Sequence, residues 1–543
     1  MKINGINPAS TRKLKYGATA VILTAVVIAA VVIFNTIFSA LVYKYNLYVD
    51  MTKEGIYGLS DPGRVLLDEI DAPINIRFCA PYDELENNWY TKMVLSLVKE
   101  MASEYDNITY DYVDIIKNPT SVAKYKATTA TSIKTTNVIV ESGTEFRVFA
   151  INALFTQNES GTIWAFNGEK KLISAMIQIT QAETPIAYLT YTHGESTIIQ
   201  AVDQIVNSGS YTTEEVLNML KNNYNYDVSM LELLYDAGYE IRGIDLTKED
   251  FDPDGRLLVI CNPIYDFEGI SEDTKGRKSE IEKIDDFLDN YGNLMVFVDP
   301  DTEELPELYE FLSEWGIAFD DSIIKDPTSS LDTEHYSLVG DYAVDYSSQT
   351  SSSSSSQTEY NPDALGASLV KSMTELGTPP KTVVKYARPV NRLWDSKDGR
   401  ITSTAVYTSS GAEKYVDGEK VDSGRYPLIV LSRESRYVYE TDANSERSQV
   451  LHSNYVFACG SKYLTSSDYL EKKAYGNSDI LYAMMRTMGK TQVPADLKFK
   501  VFDDESLNIT TAQATNWTIF LTAVIPACFL VAGAVVWIRR KHA

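Results

Sequence analysis

His193-Gly194-Glu195 follows directly on the apolar stretch Pro185 to Thr190 and is the sharpest chemical constellation in the chain. Histidine changes charge near neutral pH, a carboxylate two residues on can orient its ring, and the intervening glycine permits a close backbone approach. At the carboxyl end of a parallel strand such a group stands where α/β folds bind ligands. A ligand site and a structural turn are both compatible with it. Cys261 closes a second apolar run, Leu257 to Cys261, and could serve as a nucleophile with His193 as its base. Asn262-Pro263 follows in place of the glycine-rich turn of a nucleophile elbow, and a cysteine in an apolar strand is ordinarily a small core residue. Asn262 is therefore kept only as a turn or ligand contact. Asp299 and Asp301 flank Pro300 after a third apolar run and could meet a cation or a sugar hydroxyl, or simply end the strand. No residue is assigned a catalytic role.

Cofactor chemistry finds no foothold. Neither a Walker A sequence nor a dinucleotide-type glycine loop is present, so any ATP hydrolysis belongs to another subunit. Cys79, Cys261, Cys459 and Cys528 are far apart, which gives neither a disulfide framework nor local metal-ligand spacing. No cofactor and no metal are expected.

Alternating periods supply the elements that must position these residues. Ile74 to Ala80, Ile108 to Val113 and Thr136 to Glu141 read as strands, with an amphipathic helix over Trp89 to Tyr105 and another over Glu169 to Ile179. Ile186 to Thr190 is largely apolar, and Leu257 to Cys261 and Leu294 to Val298 are apolar throughout, the pattern of strands buried on both faces of a parallel sheet. Ser279 to Asn290 and Leu305 to Trp315 read as helices between and after them. Tyr426 to Leu431 and Val450 to Cys459 look like further strands, and Asn477 to Met488 like a helix. Ser347 to Thr358 has eight serines and no apolar side chain, so it reads as an insertion in the domain rather than a boundary.

The two ends carry apolar runs, Ala18 to Leu41 and Trp517 to Ile538, each long enough to cross a roughly 30 Å hydrocarbon core as a helix. The first is too long for a signal-peptide core and lacks a small-residue cleavage site, which favours an uncleaved anchor. Lys2, Arg12, Lys13 and Lys15 precede it, and Arg539, Arg540 and Lys541 follow the second run, so both tails are expected in the cytoplasm. All 75 acidic residues lie between the runs, and the chain's net charge is −26, which opposes binding to nucleic acid.

Asp50-Met51-Thr52 with Tyr57-Gly58-Leu59-Ser60, then Phe166-Asn167-Gly168-Glu169, then Pro185 to Glu195 ending in His193-Gly194-Glu195, resemble the ordered signatures of a family of extracytoplasmic auxiliary proteins of ABC transport systems. That family includes the gliding-motility protein GldG. Thr192 stands where its Gly-His-Gly-Glu pattern has the first glycine. Gly238-Tyr239, Asp245-Leu246-Thr247, Leu258 to Pro263, Asp285 to Asp299 and Ala458 to Ser461 follow in family order. The resemblance implies a central α/β domain similar to class I glutamine-amidotransferase-like and intraflagellar-transport-like folds. It also implies an ABC permease and an ATPase on separate polypeptides.

The expectation is thus an α/β protein in which two membrane-anchoring helices flank a multi-domain extracytoplasmic body with a largely parallel central sheet. Its parts are a tail (1–17), a transmembrane helix (18–41), a connector (42–70), a small α/β domain (71–184), a larger α/β domain (185–494), a membrane-proximal return (495–516), a second transmembrane helix (517–538) and a tail (539–543). The expected role is a non-catalytic auxiliary or substrate-engaging subunit that couples the body to permease and ATPase and contacts an envelope or surface protein or a glycan. The alternatives are a membrane-tethered enzyme acting on the envelope and a structural adaptor for surface motility or envelope assembly.

Overall fold

The computed structural model describes residues 21–38 and 55–502, apart from 127–131, 158–161, 222–224, 271–276, 345–360, 376–378, 442–446, 471, 473 and 491, together with scattered positions between 527 and 539. The serine tract 347–358 lies outside the described residues. The chain divides into two compact units, Met1–Lys500 and Val501–Ala543, and every sheet and site described belongs to the first.

Among the described residues one helix, α1 (Val21–Phe38), is long and apolar enough to cross a membrane. Two flanking transmembrane helices, and with them a two-pass chain with both termini cytoplasmic, therefore give way to one candidate span near the N-terminus. The expected second span, 517–538, lies outside the described residues save for scattered helical positions that make no continuous run.

After α1 the described chain resumes at a short helix, α2 (Asp61–Leu67). Ser60 caps it by accepting from the Gly63 N–H at 3.1 Å. The small layer is a four-stranded sheet built from β1 (Ile74–Phe78), β2 (Ile108–Tyr112), β3 (Asn137–Ser142) and β4 (Glu145–Ala150) in the order β2-β1-β3-β4. Only the β1–β2 pair is parallel, because the crossover between them holds the helices α3 (Tyr82–Asn87) and α4 (Trp89–Glu104). The α4 helix buries Met93, Val94, Leu97, Val98 and Met101, a run at i, i+1, i+4, i+5 and i+8 that makes one apolar face. A short hairpin, β5 (Phe155–Gln157) and β6 (Ile163–Phe166), leads into α5 (Gly168–Thr180).

The central sheet carries β7 (Ile186–Thr190), β8 (Glu240–Ile244), β9 (Gly255–Cys261), β10 (Asn293–Phe297), β11 (Arg400–Tyr407), β12 (Pro427–Thr441) and β13 (Arg447–Cys459), with the short edge strands Asp341–Tyr342 and Ser396–Lys397 pairing with β11. Its order is β11-β12-β13-β10-β9-β7-β8, with β13 to β8 all parallel and β12 and β11 antiparallel. The sheet is thus mixed, not largely parallel. The long hairpin of β12 and β13 reverses direction directly, whereas β7 to β8 and β9 to β10 are joined through helices. Three further small antiparallel sheets occupy the stretch from Ile317 to Gly424, which the sequence leaves without an evident period.

Side chains alternate across the parallel strands as a pleat demands. Ala187, Leu189, Val259, Met295 and Phe297 face a core closed by α6 (Ile198–Asn207), α7 (Thr213–Leu220), α8 (Asn225–Asp236) and the helix Asn477–Thr487. Ile186, Tyr188, Leu258, Ile260, Leu294 and Val296 face the opposite core, closed by α9 (Glu280–Asp289) and α10 (Pro306–Glu314). Burial on both faces is why β7, β9 and β10 are apolar at most positions.

Candidate functional site

The strand order puts β8 on one side of β7 and β9 on the other. Chain leaving β7 turns toward the α6–α8 face, and chain leaving β9 leads to α9 on the other, so a crevice opens between their carboxyl ends. His193, Gly194 and Glu195 stand in the first of these turns, and Asn262 in the second.

The histidine fills its own site. Its side chain is 7% exposed, its ring stacks on Phe267 with centroids 3.9 Å apart, and Nε2 lies 3.0 Å from Glu280 Oε2. Against a carboxylate Nε2 must carry the proton, which leaves Nδ1 to face the Thr192 hydroxyl at 3.2 Å. Glu195 does not orient the ring as expected, since its Oε1 lies 3.9 Å from Nδ1. Its carboxylate closes the turn instead, accepting from the His193 backbone N–H at 2.8 Å and the Thr190 hydroxyl at 2.6 Å. Burial by itself would lower the imidazole pKa. The hydrogen bond and charge of Glu280, with Glu195 and Asp266 behind it, outweigh that effect and raise it above its ordinary value.

Gly194 has φ +86°, and a Cβ there would lie 2.7 Å from Ile264 Cβ, so the turn needs glycine on both counts. The contact is possible because the loop after Asn262 folds onto the turn: the Ile264 and Tyr265 N–H groups both donate to the His193 carbonyl, at 2.6 and 2.9 Å.

Asn262, at φ +55°, joins the ends of β9 and β10. Its N–H donates to the Phe297 carbonyl, and its Oδ1 accepts from the Asp299 N–H at 2.8 Å and the Thr302 hydroxyl at 2.7 Å. Asp299 is buried, accepts from the Lys462 N–H at 2.7 Å and pairs with the Lys462 ammonium at 3.3 Å. Burial pushes its carboxyl above the usual range, and Lys462 opposes this only in part. Asp301 accepts from the Tyr386 hydroxyl at 2.8 Å. The structure therefore gathers the candidates at one sheet edge, and each makes internal contacts there.

Cys261 lines a cavity of ≈30 Å³ with Thr190, Glu195, Ser196 and Thr465, space for about one water. His193 is not among the lining residues. Burial pushes the Cys79 and Cys459 thiols up to about 12, which removes the thiolate that nucleophilic chemistry needs. Among the described residues no cluster of three His, Cys, Asp or Glu side chains is placed to hold a metal ion.

A second constellation is absent from the sequence reading and lies where the chain enters the body. Glu169 Oε1 accepts from the Ser60 N–H at 2.7 Å and the Ser60 hydroxyl at 2.6 Å, and its Oε2 pairs with the Lys500 ammonium at 2.8 Å. The same ammonium donates to the Gly55 carbonyl at 3.0 Å and to the Gly58 carbonyl. A Cβ on Gly63 would fall 2.2 Å from Glu169 Oε1, so glycine there makes room for the carboxylate. Arg64 reinforces the arrangement by donating to the Leu59 carbonyl and pairing with Glu100 and Glu104. The segments 57–60 and 166–169, picked out separately by their sequence, thus meet around one buried ion pair. Glu169 opening a helix after glycine was the only local signal. Its distant partner Lys500 left none.

A third buried network joins the small layer to the central sheet. Lys171 pairs with Glu232 at 2.7 Å and Asp236 at 3.1 Å, Lys170 with Asp236 at 3.1 Å, and Arg147 of β4 with Glu214 at 2.7 Å.

Residues 53–155 match a family model described as a domain of unknown function, DUF7088. No curated protein matches the chain. Among solved structures, an IFT52 N-terminal domain aligns over 56% of this chain and 97% of its own length at 13% identity, with a TM-score of 0.32. A putative ThuA-like protein from Bacteroides uniformis aligns over 58% of this chain and 97% of its own length at 12% identity, with a TM-score of 0.28.

Proposed function

We propose that this protein is a membrane-tethered, non-catalytic auxiliary subunit of an ABC transport system, whose extracytoplasmic body couples to a permease and an ATPase on separate chains. The observation that carries the reading is the Ser60–Glu169–Lys500 clamp. It fixes the segment that follows the candidate membrane helix into the core of the body through a buried ion pair and two hydrogen bonds to the carboxylate. A loose tether needs no such fixture, whereas a part that transmits motion between membrane and body does. The crevice at the sheet's carboxyl edge supports the same reading, because His193, Glu195, Asn262 and Asp299 are committed to holding loops together.

The test is purification of the intact complex from membranes through a tag on this chain. An ATPase and a multispan permease should co-purify in fixed proportion. A chain recovered alone, or with other partners, under several mild detergents sinks the assignment. The Lys500→Met variant should retain its membrane anchor and lose transport while the purified ATPase stays active.

A further inference from the structure

A wide groove lies away from the histidine turn, between the small layer and the loop joining α6 to α7. Its volume is ≈660 Å³, within the range of ligand pockets. Two tyrosines bracket it. Tyr90, on the first turn of α4, packs against Trp89 with ring centroids 3.8 Å apart and edge-on to Phe155 at 5.1 Å, so its ring is a fixed surface. Tyr211 comes from the α6–α7 loop and is 45% exposed.

Short polar side chains outnumber the apolar Ala150, Ile151 and Ile163 in its lining. Asn152 and Thr136 are exposed in the lining, and the Asn152 amide has no hydrogen-bond partner among the described residues. Two charges face the groove. Glu215 is already occupied, accepting from the Thr212 N–H at 2.9 Å and its hydroxyl at 3.2 Å in a capping box. Lys134 is exposed, and among the described residues its ammonium meets no carboxylate. In a chain of net charge −26, this groove therefore presents a lysine that pairs with no carboxylate among the described residues beside two tyrosines, while the Glu215 carboxylate is held in its cap.

From this juxtaposition we propose that the groove binds an acidic oligosaccharide, with sugar rings laid on Tyr90 and Tyr211 and a carboxylate on Lys134. A pyranose has an apolar C–H face that packs on a tyrosine ring and a hydroxyl edge that takes amide and hydroxyl partners. A nucleic acid or polyphosphate needs several cations, and the acidic body repels it. An extended peptide would seek an open strand edge or deep side-chain pockets, whereas half of this lining is amides and hydroxyls, set with two tyrosines. The inference rests on the proposed extracytoplasmic placement of the body and names the class of ligand that it would engage.

Calorimetric titration of the full chain, held in a detergent without a sugar headgroup, tests it with two probes. They are an aldotetraouronic acid, which has a single carboxylate, and neutral xylotetraose. The acidic probe should bind at least about tenfold more tightly. Lys134→Met should erase that preference and leave xylotetraose unaffected. Tyr211→Ala should weaken both probes by about tenfold or more. Tyr211 is exposed, so its loss leaves folding intact, whereas Tyr90→Ala also removes packing on Phe155 and needs a thermal melt beside it. Absence of heat with either sugar up to about 1 mM, equal affinity for the two, or binding indifferent to Tyr211→Ala overturns the proposal. So does a serine-rich peptide that binds where the sugars do not. A chain that co-purifies with ATPase and permease yet binds neither sugar defeats this inference alone.

Discussion

Lys500→Met probes the clamp with the least disturbance to shape, since methionine keeps most of the stem and removes only the ammonium. The Lys500 side chain is 8% exposed and that of Glu169 4%, so the variant leaves a carboxylate buried without its cation. Removing one partner of a buried pair costs about 3–5 kcal/mol. Two hydrogen bonds from Ser60 still reach the carboxylate, which places the cost near the lower end, about 3 kcal/mol. Glu169→Gln leaves the ammonium its two backbone carbonyls and weakens the Ser60 contacts, for about 2 kcal/mol. The double variant has no stranded charge, so the cycle should give a coupling of at least about 1.5 kcal/mol. Native-state hydrogen exchange is the assay. The Ser60 amide donates to Glu169, so its exchange and that of the turn around it should rise about a hundredfold in Lys500→Met, because each 1.4 kcal/mol is a factor of about ten. Amides of Leu258 to Ile260 in the central sheet should keep their protection. Additive single variants, or unchanged exchange at Ser60, would refute the idea that this ion pair holds the connector.

Lys171→Met should lower the unfolding midpoint by roughly 3 °C, from about 3 kcal/mol at about 1 °C each for a body of this size, since Glu232 and Asp236 each lose one cation and keep Lys221 and Lys170. Burial would raise the Glu232 carboxyl, but Lys171 and Lys221 hold it well below its ordinary value. Its stabilisation is therefore present above the unfolded carboxylate pKa and lost as pH falls through the folded one. The gap between wild type and Lys171→Met, followed by calorimetry, should narrow below about pH 5, where the Glu232 carboxylate takes up a proton. The His193–Glu280 pair works in the opposite direction. A raised histidine pKa contributes stability fully below about pH 6.5 and loses it as pH rises through the folded value. Urea midpoints should thus fall between pH 6 and 9 by an amount that Glu280→Gln abolishes, and an identical slope in that variant counts against the pair. Gly194→Ala should cost about 1–3 kcal/mol in the same urea assay, through its positive φ and the Ile264 contact.

Local pattern made some parts of the molecule legible. Ile186 to Thr190 is largely apolar because both faces of β7 are covered, and that composition identifies the strand without knowledge of its neighbours. Ser279 and Glu282 mark the start of α9 by a reciprocal cap that needs only four consecutive residues. The antiparallel third of the central sheet was less legible. β12 and β13 run far beyond the expected Tyr426 to Leu431 and Val450 to Cys459, and their outer halves pair only with each other. Half-exposed ribbon such as Ser435 to Tyr439 has too few buried side chains to show an apolar period.

The charges divide in the same way. Glu195 closing the turn at His193 lies within two residues of it, so adjacency in sequence announced the turn while leaving the roles of the two side chains undecided. What settled them was Glu280, which is 87 positions away, and the loop through Ile264 and Phe267 that follows the neighbouring strand. Glu169 with Ser60 spans 109 positions, and Lys500 with the Gly55 carbonyl spans 445. A buried ion pair is specified by two chain segments arriving together, and single-residue propensities carry no record of that arrival. The same distinction bears on function. Residues prominent in sequence at the sheet edge are spent on loop closure. The ion pair that ties the segment around Ser60 to the body, and the groove lined by Lys134 and Tyr211, exist only where distant segments meet.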